Sequence, residues 1–142
     1  MTVVLDSNLL VALVTKDERA PAIGRQMSAL AQSGEDLHAP TLLRYEVANA
    51  LTRKVVGGEL DIGDASIAWN QVAAMPIALH DLHDGISAVD IALRLRRESA
   101  YDAAYLALAM ELSTELLTLD GPLSRNAQGV GLPVRLVETT SP

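Results

Sequence analysis

The sequence predicts an α/β fold in which a central, mainly parallel β-sheet is covered by helices on both faces. Short apolar runs alternate along the chain with longer segments of helical periodicity, which is the pattern of strand–helix–strand units. The expected strands are apolar at nearly every position, as strands are when both faces of a sheet are buried. The chain has 142 residues and no repeat, linker or low-complexity tract, so we expect a single domain over residues 1–142.

The elements follow from these patterns in order. The strands are expected where β-branched and other apolar residues form short runs: 3–5, 37–39, 77–79, 116–118 and 134–137. Helices are expected where apolar residues recur three or four positions apart: 8–14, 19–33, 41–56, 61–75, 85–98 and 101–112. No element is assigned between Gly121 and Pro133, and Asp120-Gly121 is typical of a turn.

Composition excludes several classes of protein. Hydrophobic residues make up 49% of the chain and charged residues 20%, which indicates a globular protein rather than a disordered one. There is no cysteine, which excludes disulfides, thiolate metal sites and a cysteine nucleophile. No signal-peptide pattern is present, and no apolar run approaches the ~18 residues of a membrane helix. We therefore expect a soluble, cytoplasmic protein with no membrane partner.

Charge and hydropathy limit the possible partners. The net charge of −7 argues against binding nucleic acid by bulk electrostatics, which needs basic patches. It fits an acidic metal site or a basic protein partner better. The mean hydropathy of +0.21 is high for a small domain and indicates apolar surface that a partner covers.

Two acidic residues fall at the carboxyl ends of expected strands, where ligands bind in such sheets. Asp6 directly follows the first strand, and Asp120 lies two residues after Thr118. Each also has a purely structural interpretation, since Asp6 could cap the next helix and Asp120-Gly121 could form a turn.

Two further acids lie within expected helices. Asp102 is the only charge between Tyr101 and Met110, in the first turn of an apolar helix, where the helix dipole alone would favour it. Glu46 lies in a helix whose cations cluster near the far end, and it could be an ordinary surface acid. Burying an unpaired carboxylate near a core costs several kcal/mol of stability. If the four carboxylates converge, one bound divalent ion would compensate this cost for all of them.

Four motifs in the chain resemble those of PIN-domain ribonucleases and occur in the family's order. They are Val-Leu-Asp-Ser-Asn at 4–8, Glu-Val-Ala-Asn-Ala-Leu at 46–51, Tyr-Asp-Ala-Ala-Tyr-Leu-Ala-Leu-Ala at 101–109, and Leu-Leu-Thr-Leu-Asp at 116–120 followed by Leu123. The third is the most specific and is similar to the block found in VapC-type toxins. The Gly121-Pro122 pair departs from the polar residues usual in the family after the last acid.

The resemblance implies a PIN-like three-layer α/β/α sandwich and a ribonuclease toxin, held inactive by a VapB-like antitoxin and forming a homodimer. It implies RNA hydrolysis by a metal-activated water, with Asp6, Glu46, Asp102 and Asp120 as the catalytic acids. Of these, Asp6, Asp102 and Asp120 are the expected metal ligands. Oxygen ligands without cysteine or paired histidine suit Mg²⁺ or Mn²⁺.

Polar and basic neighbours complete the expected site. Asn8 and Thr118 are expected to hydrogen-bond a ligand or a metal-bound water. Arg94, Arg96 and Arg97 form the densest basic cluster and are candidates for RNA contacts. Alternatively, Arg94 only pairs on the surface with an acid four residues before it.

Other functions stay open at this point. A catalytically silent PIN fold that only binds RNA or protein would share the fold without the chemistry. A haloacid-dehalogenase-like phosphatase also has an aspartate after its first strand, but it needs a second where this chain has Asn8. A response-regulator receiver needs an acidic pair and a late lysine, which the sequence does not offer.

Overall fold

The computed structural model describes residues 1–139. Within them, one five-stranded sheet has the order β3-β2-β1-β4-β5. Every pairing in it is parallel, which confirms the expected sheet. The strands are β1 (Thr2–Leu5), β2 (Asp36–Pro40), β3 (Ile77–His80), β4 (Leu116–Thr118) and β5 (Val134–Leu136).

Helices connect the strands and pack in two groups. They are α1 (Ser7–Val14), α2 (Ala20–Gln32), α3 (Leu42–Val56), α4 (Ile62–Ala73), α5 (Gly85–Arg94), α6 (Tyr101–Glu111) and α7 (Gly121–Gly129). Helix α1 contacts α2, α3 and α4, whereas α5 packs on α6, and α6 contacts β1, β2 and β4. The arrangement is the three-layer α/β/α sandwich expected from the sequence.

The core is aliphatic, as the composition requires. Val4, Leu5 and Leu116 on the central strands are fully buried, and Tyr105 is the largest fully buried side chain. Burial of each such aliphatic side chain contributes roughly 1.5–3 kcal/mol relative to exposure. No helix of residues 1–139 is both long and apolar enough to cross a membrane.

Helix α5 ends four residues before the predicted boundary. Arg96 adopts a left-handed conformation with φ of 57°. This turn lets the Arg97 amide donate to the carbonyl of Ala92 at 2.9 Å, which closes the end of the helix. The position usually carries glycine or asparagine, so the sequence had no signal for the end of this helix.

Helix α7 was missed by the sequence analysis, and the turn assigned to Asp120-Gly121 is wrong. The Asp120 carboxylate accepts a hydrogen bond of 3.0 Å from the amide of Leu123 and so caps the helix. Pro122 lies in its first turn, where a missing N–H costs nothing. The helix is short and mostly polar, and its two buried apolar residues, Leu123 and Ala127, are too few to show a period.

The strand order places a crevice beside β1. From β1 the chain builds β2 and β3 on one side of the sheet, then crosses over to build β4 and β5 on the other. The connections that leave the carboxyl ends of β1 and β4 therefore diverge at this edge, which is where ligands bind in open α/β sheets. Asp6 and Asp120 lie here.

Candidate active site

Asp6 is a buried carboxylate at the carboxyl end of β1, with only 6% of its surface exposed. Its Oδ2 accepts a hydrogen bond of 2.8 Å from the Thr118 hydroxyl and a longer contact of 3.4 Å from the Asn8 amide. Its side chain makes no capping bond to α1. Asp6 thus occupies the N-cap position of α1 without the side-chain bond that the capping interpretation requires, and its burial needs another reason.

Thr118 and Asn8 join the ends of β1 and β4. The Thr118 hydroxyl donates to Asp6 and accepts from the Asn8 amide and the Asp120 backbone N–H, each at 3.1 Å. One hydroxyl offers one donor and two acceptor sites, so its capacity is used in full. Asn8 Oδ1 in turn accepts from the Leu119 N–H at 3.1 Å. Both residues lie beside Asp6, as the sequence analysis expected, and their role toward a metal stays a prediction.

Glu46 extends from α3 to the same crevice. Its Oε1 accepts hydrogen bonds from the Tyr105 hydroxyl and, at 3.3 Å, from the Ser7 hydroxyl. Burial, together with the adjacent Glu46, raises the pKa of the Tyr105 phenol, which therefore stays protonated and can donate.

Ser7 and Tyr105 were not singled out from the sequence. Tyr105 lies three residues after Asp102 on α6 and thus on nearly the same face of that helix. A hydroxyl at that spacing in an otherwise apolar helix was the available signal. Ser7 gave no signal beyond its position next to Asp6.

Asp102 lies near Asp6, and Asp120 lies near Asp102. Asp102 is half-buried in the first turn of α6 but does not cap it, since Ala100 is the N-cap residue. Asp120 is the N-cap of α7 and uses Oδ1 for that purpose. The structural interpretation thus fits Asp120 in part, because one of its two carboxylate oxygens caps the helix.

Electrostatic coupling links the four acids in pairs, Asp6 with Asp102 and Glu46, and Asp102 with Asp120. The pKa of Asp6 is raised from 3.8 to about 7, chiefly by burial and in part by the negative charges of Asp102 and Glu46, against the lowering effect of the Thr118 hydrogen bond. Burial also raises the pKa of Asp102, to which Asp120 adds, while Arg97 opposes the shift. Mutual repulsion of this kind is what a bound cation relieves.

The donor chemistry fits a hard divalent ion. The carboxylate oxygens of the four acids are the ligands that Mg²⁺ and Mn²⁺ prefer. Within residues 1–139, however, no three carboxylate or imidazole groups lie close enough to surround one ion as they stand. Adjustment of the side chains would have to accompany binding.

The three arginines of the predicted basic cluster have different surroundings in the structure. Arg97 lies near enough to Asp102 to oppose the rise in the pKa of that carboxyl. Arg94 donates to the carbonyl of Val130 at 2.8 Å, which ties α5 to the end of α7. Arg96 is exposed. RNA contact by these three residues stays a prediction, for which Arg97 has the best position.

The comparisons with known proteins identify the family. The fold and site define an α/β protein with an acidic crevice at the switch point of a parallel sheet. A family model described as PIN domain matches residues 3–128, a span that includes all four acids. The chain therefore belongs to the PIN-domain family, as the motifs predicted.

Curated relatives extend the match over nearly the whole chain. Ribonuclease VapC3 from Pyrobaculum aerophilum is 31% identical over 136 residues, which cover 94% of this chain and 100% of that protein. Ribonuclease VapC9 from Mycobacterium tuberculosis is 32% identical over 129 residues, which cover 89% of this chain and 91% of that protein. The resemblance to VapC-type proteins is thus confirmed.

Two solved structures share the fold at lower identity. The crystal structure of PAE2754 from Pyrobaculum aerophilum superposes with a TM-score of 0.72 at 22% identity, covering 98% of this chain and 85% of that one. The crystal structure of VapBC2 from Rickettsia felis, bound to a DNA fragment from its promoter, gives 0.71 at 10% identity and covers 97% and 100%. At these identities the likeness establishes the fold alone.

Proposed function

We propose that Asp6, Glu46, Asp102 and Asp120 hold a divalent ion with which this chain, a ribonuclease toxin of a toxin–antitoxin pair, hydrolyses RNA. The observation that carries the proposal is the buried Asp6 carboxylate, which has two further acids, Asp102 and Glu46, near enough to raise its pKa. Such a group is costly to ionise unless a cation accompanies it. Membership of the PIN-domain family and similarity to proteins named as ribonucleases support the reaction.

Each side chain of the site has its own proposed role. Asp6 and Asp102 are the proposed direct ligands of Mg²⁺ or Mn²⁺, with Asp120 as a further ligand. The hydrogen bond from Thr118 supports the ionised form of Asp6 and fixes its orientation. Tyr105 and Ser7 both donate to Oε1 of Glu46, so we assign Oε2 of Glu46 the task of positioning the attacking water.

The chemistry expected at such a site is hydrolysis. A bound divalent ion supplies an activated water and stabilises the charge on the leaving oxygen. Attack by water with departure of the 3′-oxygen yields a 5′-phosphate and a 3′-hydroxyl. Transesterification through the 2′-hydroxyl usually needs groups such as histidine that titrate near neutrality. None of the three histidines lies in a family motif, and His38 and His80 pair with each other across β2 and β3 at 2.7 Å.

The test is cleavage of end-labelled RNA by the purified protein with Mn²⁺ or Mg²⁺ and with EDTA. We expect cleavage only with metal. The 3′ ends of the products should be free hydroxyls that need no enzymatic repair, because no 2′,3′-cyclic phosphate forms. Full activity in EDTA, or a cyclic phosphate on the product, would contradict the mechanism. RNA binding without cleavage at any metal concentration would instead identify a catalytically silent PIN module.

We also propose a VapB-like antitoxin as partner. The Rickettsia felis neighbour is a VapBC2 complex, which supports this class of partner. An arginine of the antitoxin would form bidentate contacts with the acidic side chains, in keeping with the net charge of −7. We place the action of the pair in the cytoplasm, where RNA is present.

The last part of the proposal is a homodimer through α5. Ile86, Val89 and Leu93 recur at helical spacing along α5 and are 77%, 46% and 67% exposed. An apolar stripe of this kind can pair with its own copy about a two-fold axis. Burial of the stripe would also account for the high mean hydropathy.

A further inference from the structure

An open groove of about 830 Å³ continues from the acidic crevice along α3. On α3, Glu46, Asn49 and Arg53 follow one another at spacings of three and four residues and share one face of the helix. Glu46 lies at the acidic end, and Arg53 lies seven residues further along. At a rise of 1.5 Å per residue this is about 10 Å. The groove therefore has one acidic and one basic end.

The basic end contains three cations, of which two are already paired. Arg19 binds Asp17 through two side-chain hydrogen bonds of 3.0 and 2.8 Å. Lys54 pairs with Glu59 at 3.1 Å. Arg53 is exposed and forms no ion pair among residues 1–139. It is the cation of this groove that is available to an anionic ligand.

Two exposed tyrosines line the same groove. Tyr45 is 75% exposed and directly precedes Glu46, while Tyr101 is 65% exposed and directly precedes Asp102. The chain has only three tyrosines, one tryptophan and no phenylalanine. Two of these rings are exposed to water at the mouth of the acidic crevice, where they contribute little to the packing of the core. Exposed rings of this kind are platforms on which unpaired bases stack.

We propose that this groove binds single-stranded RNA next to the bond that is cut, with Tyr45 and Tyr101 stacking on bases and Arg53 contacting a backbone phosphate. The inference rests on the proposed function, which it deepens by naming the substrate's form and its contacts. At ~3.4 Å per stacked nucleotide, the span from Glu46 to Arg53 accommodates about three nucleotides. A double helix would not offer its bases to the tyrosines.

A polynucleotide fits this groove better than a protein segment does. A strand that places one phosphate at the acidic, metal-binding end has its next phosphates directed toward Arg53. The α3 side of the groove is polar at Glu46, Asn49 and Arg53, whereas other parts of its wall are apolar, at Val11, Ala12, Leu42 and Ala50. A peptide helix docks on a continuous apolar stripe, which the polar residues of α3 interrupt.

The test uses two fluorescein-labelled probes of equal length, an oligoadenylate and a strand with the same backbone but no bases. Binding is measured by anisotropy with Ca²⁺ present. Tyr45→Ala and Tyr101→Ala should weaken oligoadenylate binding roughly 5- to 150-fold each and leave binding of the baseless strand unchanged. Tyr45→Phe and Tyr101→Phe, which keep the ring, should bind like the wild type.

Arg53→Gln should weaken binding of both probes and reduce the slope of log affinity against log salt by about 0.7. Arg44→Gln is the matched control, because Arg44 lies on the same helix but lines a different hollow beside Trp69. Circular dichroism checks that each variant is folded.

Unchanged oligoadenylate binding in the alanine variants and in Arg53→Gln would overturn the inference. So would a loss confined to binding of an antitoxin, which would assign the groove to protein. Cleavage of RNA by the wild type is measured separately with Mn²⁺. Absence of cleavage together with the expected binding pattern would contradict the proposed function and leave the groove assignment standing.

Discussion

The Thr118 hydroxyl donates a hydrogen bond of 2.8 Å to Oδ2 of Asp6, although 112 residues separate the two in the chain. Parallel pairing of β1 with β4 makes this contact possible, because it brings the carboxyl ends of both strands to one edge. The bond is the shortest side-chain hydrogen bond to Asp6, and it favours the ionised form of that carboxylate against burial and two neighbouring acids.

Thr118→Val should therefore lower RNA cleavage about 10- to 100-fold, the usual effect of losing a group that orients a metal ligand. Valine has the shape of threonine but no hydroxyl, so the carboxylate of Asp6 loses its closest hydrogen-bond donor and should bind metal less well. The measurement is the Mn²⁺ dependence of cleavage. Thr118→Ser keeps the hydroxyl and should retain most activity. Equal losses in both variants would indicate a packing effect instead.

Asp6→Asn and Asp102→Asn should each abolish cleavage and leave the fold intact. Clustered carboxylates repel one another in the absence of metal, so neutralising one does not destabilise the metal-free protein. Mg²⁺ or Mn²⁺ should raise the melting temperature of the wild type more than that of either variant, since a ligand that binds only the folded state stabilises it. Asp90→Asn, an exposed acid on α5, is the control. Equal shifts in all four proteins would remove the metal-site assignment.

The stability of the metal-free protein should fall as pH rises from about 4 toward 7. Burial raises the pKa of Asp6 from 3.8 to about 7, so over this range the folded protein keeps a proton that the unfolded chain releases. The free energy of unfolding contributed by this group is thus largest below pH 4, and at most about 4 kcal/mol is lost by neutral pH. Urea unfolding in EDTA at several pH values measures the slope.

Asp6→Asn should flatten this pH dependence, because asparagine does not titrate. The free energy of unfolding of Asp6→Asn should exceed that of the wild type most strongly near neutral pH, and the two should be equal near pH 4. Asp90→Asn should keep the wild-type slope. A wild-type protein whose stability increases between pH 5 and 7 in EDTA would contradict the raised pKa of Asp6.

Leu93→Glu should convert the expected homodimer to a monomer. Leu93 is 67% exposed on the apolar stripe of α5, and a carboxylate at that position would be buried without a partner in a two-fold interface. Light scattering at high micromolar concentration gives the mass. Ile67→Glu, at a 62% exposed isoleucine on α4, should remain dimeric. A monomeric wild type, or a dimer that survives Leu93→Glu, would exclude this interface.

The local pattern of the sequence determined most of the elements. Continuously apolar strands predicted a buried parallel sheet, and the four motifs identified the family and indicated the acids that we propose as its site. The predicted end of α5 was wrong because the helix ends at a residue that rarely adopts the left-handed conformation, Arg96. Helix α7 was not predicted because its short polar sequence shows no helical period in its apolar residues.

Only the tertiary structure decided how the acids are held. Hydrogen bonds that join Thr118 to Asp6 and Tyr105 to Glu46 span 112 and 59 residues, and such pairings follow from strand order and helix packing rather than from local sequence. Burial sets the pKa of Asp6 in the same way, because desolvation depends on every element packed around the group. A sequence shows which side chains ionise, whereas the surrounding fold decides what ionisation costs them.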